Sequence, residues 1–259
     1  MATPRIQSVD RAFALLQQLA KPGSASSLPV MAERSGLSVA TAHRLLATLE
    51  SIGAVIRTGS GGYRIGMGLH ELTRGSCREE LLVAAVQPVL AKLARTIGLT
   101  LHAGVMSSDQ MVTYIAKQAA RNSYQVPTRI GSQLEAYCSG IGKVLLASME
   151  EAEQHAYLVD APFVMLTPNT VTDPQLLKAE LAEAKVRGYA IDNCEIYADL
   201  RCVAVPIHDA DGGVIAALSC SGATDVVTFE AIPGLVSELR AASAAVHAKL
   251  FPASNFRLQ

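Results

Sequence analysis

No apolar run in this 259-residue chain approaches the roughly 18 residues that a membrane-spanning helix requires. The N-terminus does not read as a secretory leader either, because Asp10 and Arg11 interrupt its apolar stretch. Five cysteines, an odd number without a Cys-x-x-Cys pair, argue against a disulfide framework and for a reducing compartment. A cytoplasmic location is the simplest expectation. Internal repeats and low-complexity tracts are missing, and the tail after Pro252 reads as loose. Enzyme signatures are missing as well. Gly142-Lys143 lacks the earlier glycine of a phosphate loop, where Tyr137 stands, and Val144 replaces its Ser/Thr. Neither Gly-x-Ser-x-Gly nor His-Glu-x-x-His occurs, and the six histidines have no ligand spacing. No metal and no cofactor is expected, and a Cys202 or Cys138 nucleophile with a distant histidine is the enzyme alternative.

The net charge of −1 hides an uneven distribution. Residues 1–75 hold eight Lys/Arg against four Asp/Glu, whereas the rest hold fourteen against nineteen. A basic N-terminal module is therefore fused to an acidic remainder, and phosphate binding depends on that local balance.

Two short amphipathic patterns flank Gly36-Leu37-Ser38, and a glycine-rich hairpin over 55–65 follows them. That order predicts a winged helix-turn-helix, which places one helix in a DNA major groove. From Val39 onward, Ala42, Leu45, Leu46, Leu49 and Ile52 fall on one core-facing stripe. Ser38 is placed to N-cap this helix, and Gly36 suits a left-handed turn residue. Ala40, His43, Arg44, Ala47 and Ser51 occupy the opposite face, with Thr41 at its flank. Arg44 can reach a phosphate or a guanine edge and Thr41 a phosphate, while Val39 offers only apolar contact. In the wing, Arg57 and Arg64 sit beside the turn Thr58-Gly59-Ser60-Gly61-Gly62, within reach of the sugar-phosphate backbone. An upstream helix opens at 8–11 with Ala12, Leu15, Leu16 and Leu19 inward and Arg11 at its exposed start.

Residues 66–75 read as a short linker helix, and 79–97 as a long amphipathic helix that Pro88 kinks or splits. Strand-like runs follow at 100–107, 111–118, 189–192, 202–206 and 214–221, the last pair closed by Asp211-Gly212. Helical stretches occupy 142–148, 174–187 and about 229–250. This mixture predicts an α+β domain with one sheet.

The stretches at 6–16 (IQSVDRAFALL), 38–50 (SVATAHRLLATLE) and 61–66 (GGYRIG) resemble the IclR family of bacterial transcriptional regulators. The second half agrees through YCSGIGKVLLA (137–147), LTPNTVTD (166–173), RGYAIDN (187–193), LRCVAVPIHDADG (200–212) and ALSCSG (217–222). The similarity runs from about Arg5 to Leu250. It implies a winged helix-turn-helix domain (1–65), a linker helix (66–77) and a GAF/profilin-like effector-binding and oligomerisation domain (78–252). It further implies homodimers, often paired into tetramers, that bind palindromic operator DNA and respond to small metabolites. Relatives frequently control catabolism of organic, aromatic or sugar acids. Matched onto this chain, the effector pocket uses Ser139, Gly140, Ile141, Asp192, Cys202, Ser219 and Ser221. Two departures bear on readout. Ser38-Val39-Ala40 stands where polar residues commonly open the recognition helix, and Tyr137-Cys138-Ser139 replaces a commoner His-Ala-Thr.

The chemistry of the matched residues is coherent on its own. Gly140-Ile141-Gly142 opens a helix whose amides can hold a carboxylate. Ser219 and Ser221 lie two apart on a strand and share a face. Asp192 can accept from a ligand hydroxyl, and Cys202 supplies a small, polarizable wall. A DNA-binding protein whose C-terminal domain only oligomerises is the other reading.

Overall fold

The computed structural model describes residues 6–21, 27–59, 61–74, 77–121, 123–160 and 163–252. Within the expected wing turn, linker and tail, Ser60, Gly75 and the residues after Pro252 lie outside that set, as does Arg5. The chain forms two compact units that divide between Cys77 and Arg78.

The first unit holds helices α1 (Gln7–Ala20), α2 (Leu28–Arg34) and α3 (Val39–Ser51), strands β1 (Val55–Arg57) and β2 (Tyr63–Ile65), and α4 (Met67–Thr73). Leu15, Leu19, Met31, Ala32, Ala42, Leu46, Leu49, Val55 and Tyr63 make its core. Gly36 adopts φ +61°, and its turn brings α2 against α3. Strands β1 and β2 pair antiparallel with Ile56 opposite Arg64, which is the wing. The turn after α3 is stitched to the start of α4, where Gly66 N donates to Ala54 O and Gly68 N to Gly53 O.

Two expectations need correction here. Ile52 continues the apolar spacing but is 66% exposed, because α3 ends at Ser51 and Gly53 at φ +73° turns the chain away. Arg11 is not at an exposed helix start; it lies in the second turn of α1, half-buried, with Nε shielded from solvent.

The second unit is built on a six-stranded sheet. Its strands are β3 (Thr100–Met106), β4 (Val112–Gln118), β5 (Gln133–Leu134), β6 (Ala190–Asn193), β7 (Leu200–His208) and β8 (Val214–Ala223), in the order β5-β4-β3-β8-β7-β6. Every neighbouring pair is antiparallel. Helices α5 (Arg78–Ile97) and α9 (Ile232–Leu250) pack on one face, over Leu101, Ala103, Ile115, Val203, Val205, Leu218 and Cys220. On the other face α6 (Gly140–Ala147), α7 (Glu151–Asp160) and α8 (Pro174–Arg187) enclose a second core with Tyr114, Ala190, Ala204 and Ala217. The α+β expectation holds, with helices covering both sides of one antiparallel sheet.

Pro88 does not split its helix, since α5 runs unbroken for 20 residues. Proline cannot donate to the carbonyl four residues back, but Ala84 and Pro88 both face solvent, where water can take that acceptor. The buried stripe Leu82, Ala85, Val86, Leu90, Leu93 and Ala94 is untouched. The final helix starts at Ile232 instead of about 229, because turns occupy the segment after β8. Strands β6 and β7 are displaced or longer than their sequence signals, and α7 and β5 carried none strong enough to be assigned.

Leu46 is fully buried in the small N-terminal core. Leu46→Ala should cost about 2–5 kcal/mol within that unit, from lost transfer energy plus a cavity. Hydrogen exchange should show lowered protection for peptides of α2, α3 and the wing, with α5, α9 and the large sheet unchanged.

Candidate functional sites

Helix α3 is capped as its sequence requires. Ser38 is its N-cap and accepts from Thr41 N at 3.2 Å, while the Ser38 and Thr41 hydroxyls bond each other at 2.9 Å. Val39, Ala40, His43, Arg44, Ala47, Thr48 and Ser51 form its exposed face. The hydroxyls there are turned inward on the helix. Thr48 Oγ1 donates to Arg44 O at 3.0 Å and Ser51 Oγ to Thr48 O at 2.8 Å. His43 and Arg44 are left as the long polar side chains of this face that make no bond to their own helix. In the wing, Arg64 is exposed, and Arg57 donates from Nη2 to the Tyr63 hydroxyl at 2.8 Å. That bond fixes the Arg57 guanidinium beside the turn while leaving it open to solvent.

Strand pairing assembles the second constellation. Asp192, Cys202, Ser221 and Thr100 are successive register partners across β6, β7, β8 and β3. Ala204, Ser219 and His102 form the next row. Directly paired residues point to the same face, so these rows lie opposite the α5/α9 side. Helix α6 starts against them, and a Cβ on Gly140 would sit 3.4 Å from Ala204 Cβ and 3.7 Å from Asp192 N. Ser139 caps α6 by accepting from Gly142 N at 3.0 Å. The amides of Gly140 and Ile141 remain as first-turn donors that no intrahelical bond can use. All seven predicted effector residues are buried.

A strap between β4 and β5 covers the same face. Thr100 Oγ1 bonds Ser123 Oγ at 2.8 Å and donates to Tyr124 O at 3.0 Å, and His102 Nε2 meets Thr128 Oγ1 at 2.7 Å. Lys117 Nζ donates to Val126 O and Thr128 O at 2.7 and 2.8 Å. Val126 and Tyr124 then pack on Leu200 and Cys202. A cavity of about 820 Å³ lies elsewhere, between the C-terminal ends of α6 and α8, the β7–β8 turn and α9, and none of the seven residues lines it.

The chain's two halves each match a family model. Residues 8–59 match the IclR helix-turn-helix domain, and residues 77–248 match the bacterial transcriptional regulator IclR C-terminal domain. The chain belongs to the IclR family of bacterial transcriptional regulators. It is 33% identical to the HTH-type transcriptional regulator XynR of Escherichia coli over 96% of this chain and 100% of that protein. It is 32% identical to the acetate operon repressor of Salmonella typhimurium, covering 90% and 86% respectively. Among solved structures, the Thermotoga maritima IclR superposes with a TM-score of 0.62 at 29% identity, over 95% of this chain and 99% of that one. An IclR homologue from Microbacterium hydrocarbonoxydans complexed with 4-hydroxybenzoate gives 0.63 at 26%, over 95% and 100%.

This IclR-family protein is a transcriptional regulator, not an enzyme. The geometry agrees. Burial raises the Cys138 thiol to about 12 and the Cys202 thiol well above its ordinary value, so neither supplies the thiolate a nucleophile needs. Lys143, whose Gly-Lys context mimics a phosphate loop, is fully buried and ion-paired to Glu195 at 2.5 Å and Glu180 at 2.8 Å. Burial also raises the carboxyls of Asp192, to about 6, and Glu195, to about 7.

Sequence reading missed Thr100, His102, Lys117, Thr128 and the Lys143–Glu195 pair. The signal available was a polar residue at every second position of β3, Thr100 and His102, within an otherwise apolar strand. Their partners are sequence-distant and have no local signature.

Burial first, and then Lys117, lower the His102 imidazole to about 3, so it is neutral in the folded protein. A depressed histidine contributes stability that is present above its unfolded pKa of about 6.5 and lost as pH falls toward the folded value. His102→Gln retains a partner for Thr128 without a titrating ring. Between pH 7 and about 5, wild type should lose about 1–2 kcal/mol relative to this variant, measured by urea denaturation at each pH.

Proposed function

We propose that this regulator is ligand-responsive, binding a palindromic operator as a homodimer or dimer of dimers and taking a small carboxylate as effector. The observation that carries the reading is the convergence of Asp192, Cys202, Ser219 and Ser221 on one sheet face beside the N-terminus of α6. The Gly140 and Ile141 amides hold the carboxylate at the positive helix end, and the serine hydroxyls bond its oxygens. The 4-hydroxybenzoate bound by the M. hydrocarbonoxydans homologue supports a carboxylate. Catabolism of an organic, aromatic or sugar acid is the corresponding pathway class.

On the DNA side, α3 enters the major groove and the wing lies along the backbone. His43 and Arg44 supply polar readout, Val39 and Ala40 apolar contact, and Arg57 and Arg64 phosphate contact. Thr41 and Ser38 are engaged with each other, so their contribution is to hold the first turn of α3 at the phosphates. Arg11 is half-buried, and its contact is confined to the guanidinium tip. Effector binding alters the pairing of the two DNA-binding units through the 66–77 segment, so operator and effector affinities are reciprocally linked.

A thermal-shift screen across aromatic, keto and sugar acids tests the effector reading, since a ligand specific for the native state raises the melting temperature. No response to any of them favours a C-terminal unit that only oligomerises. Arg44→Ala should weaken operator binding by about 1–3 kcal/mol in a gel-shift titration, the loss of a bidentate base contact. Unchanged affinity removes Arg44 from the reading face. Asp192→Ala should abolish the effector-induced shift while leaving operator affinity intact, and an unaltered ligand titration rejects its place in the pocket.

A further inference from the structure

Two buried carboxyl groups beside the candidate effector pocket lack enough positive charge. Asp192 and Glu195 are 0% and 3% exposed, and each keeps one oxygen, Oδ2 and Oε2, without a hydrogen-bond partner. They are joined through the backbone, with Glu195 N donating to Asp192 Oδ1 at 2.8 Å. The ammonium that serves them is Lys143 Nζ of α6, and it is divided among Glu195 Oε1, Glu180 Oε1 of α8 and the Ile191 carbonyl. Two carboxyls are therefore bonded to one cation and a third, Asp192, feels its charge without bonding it; of the three only Glu180 has substantial solvent contact. The other titratable groups around Asp192 are Tyr114 of β4, Cys202 of β7, Cys138 before α6 and Cys194 after β6. Burial raises all four and favours their neutral forms, so none offsets the excess charge. An anionic effector at the start of α6 adds one more negative charge to this set.

Neighbouring buried like charges cannot all ionise, and the group least well paired takes the proton. Glu195 has the ion pair and the Asn193 amide; Asp192 has the backbone amides of Glu195 and Ile196 and the Cys202 thiol, but no cation bonded to it. We propose that Asp192 and Glu195 hold one proton between them at neutral pH, and that an anionic effector, adding its charge beside Asp192, draws that proton onto Asp192, which then donates a hydrogen bond to it. The inference rests on the effector reading above and narrows it. The pocket selects an anion whose carboxylate or adjacent oxo oxygen accepts from Asp192, and it disfavours ligands that present only donors there. Effector binding is then coupled to a proton, and affinity falls about tenfold per pH unit once the pair has lost it.

Infrared spectroscopy of the full-length protein without effector tests the shared proton directly. A carbonyl band of a protonated carboxyl should be present at neutral pH and fade as pH rises. It should be missing at neutral pH in Asp192→Asn, where Glu195, relieved of its neighbour, stays ionised beside Lys143. No such band in wild type, or an unchanged band in folded Asp192→Asn, overturns the proposal. Glu195→Gln serves as a second variant should Asp192→Asn fail to fold, and it too should remove the pH-dependent band.

Calorimetry with acetate, glycolate and 4-hydroxybenzoate as probes tests the donor role. Asp192→Asn, whose amide still donates, should bind within severalfold of wild type with a flat pH profile, whereas Asp192→Ala should lose binding. Equal loss in both variants, or a flat profile in wild type, overturns the donor role. If the infrared band behaves as expected and none of the probes binds wild-type protein, the effector reading fails and the shared proton stands.

Discussion

One buried ammonium organises the C-terminal unit of this regulator. Lys143 projects from α6, the helix whose first turn faces the candidate pocket, and its Nζ is held by Glu180 of α8, Glu195 beyond β6 and the Ile191 carbonyl of β6. Desolvating a lysine fully costs several kcal/mol, so the side chain is tolerable only because three acceptors meet it. Those acceptors lie 37 to 52 residues beyond Lys143 in the chain, and satisfying it therefore fixes α6, α8 and β6 relative to one another. The 193–196 turn is held in the same way. Cys194 adopts φ +62°, a left-handed conformation that a non-glycine residue keeps only when its surroundings enforce it, and the neighbouring Glu195 is the lysine's partner.

The sheet divides labour between its two faces. The face under α5 and α9 is largely apolar, with Arg201 buried at its edge against Val227 and Phe229, and supplies the bulk of the hydrophobic stabilisation. The opposite face alternates into Thr100, His102, Ser219, Ser221 and Cys202, polar or polarizable groups that no folding requirement explains. Burying such groups is costly unless each is bonded, and the strap residues Ser123, Tyr124 and Thr128 meet those on β3. The row on β6 to β8 is less completely met, with Asp192 Oδ2 left open. That imbalance is where a ligand has most to gain.

The DNA-binding unit shows the reverse economy. Its recognition face carries few polar side chains that are not already engaged with their own helix, and its basic excess is small. A module of this kind gains from repetition, because two linked modules on one operator multiply through effective concentration.

The local part of this protein was legible in its residues. Gly36 must take the left-handed turn, Ser38 caps α3, the period of Ala42, Leu46 and Leu49 buries one stripe, and Thr58 to Gly62 turn a hairpin; each depends on neighbours within a few positions. Sequence pattern also placed β3, β4, β8 and α8, and the family motifs picked out seven positions that prove buried together. It went astray at Ile52, where chain termination outweighed periodicity, and at Arg11, which sits in the second turn of α1 instead of at its exposed start. Register was beyond it. The pairing of Asp192 with Cys202 and of Cys202 with Ser221, the strap's bonds to Thr100, His102 and Lys117, and the burial of Lys143 among three acceptors join residues from 9 to 52 positions apart, beyond the reach of local pattern. Amino-acid order thus determined which local elements form and which side chains lie on the exposed face of α3. Tertiary packing alone decided which carboxyl groups share one cation, because charge balance in a buried site is set by what surrounds it in space.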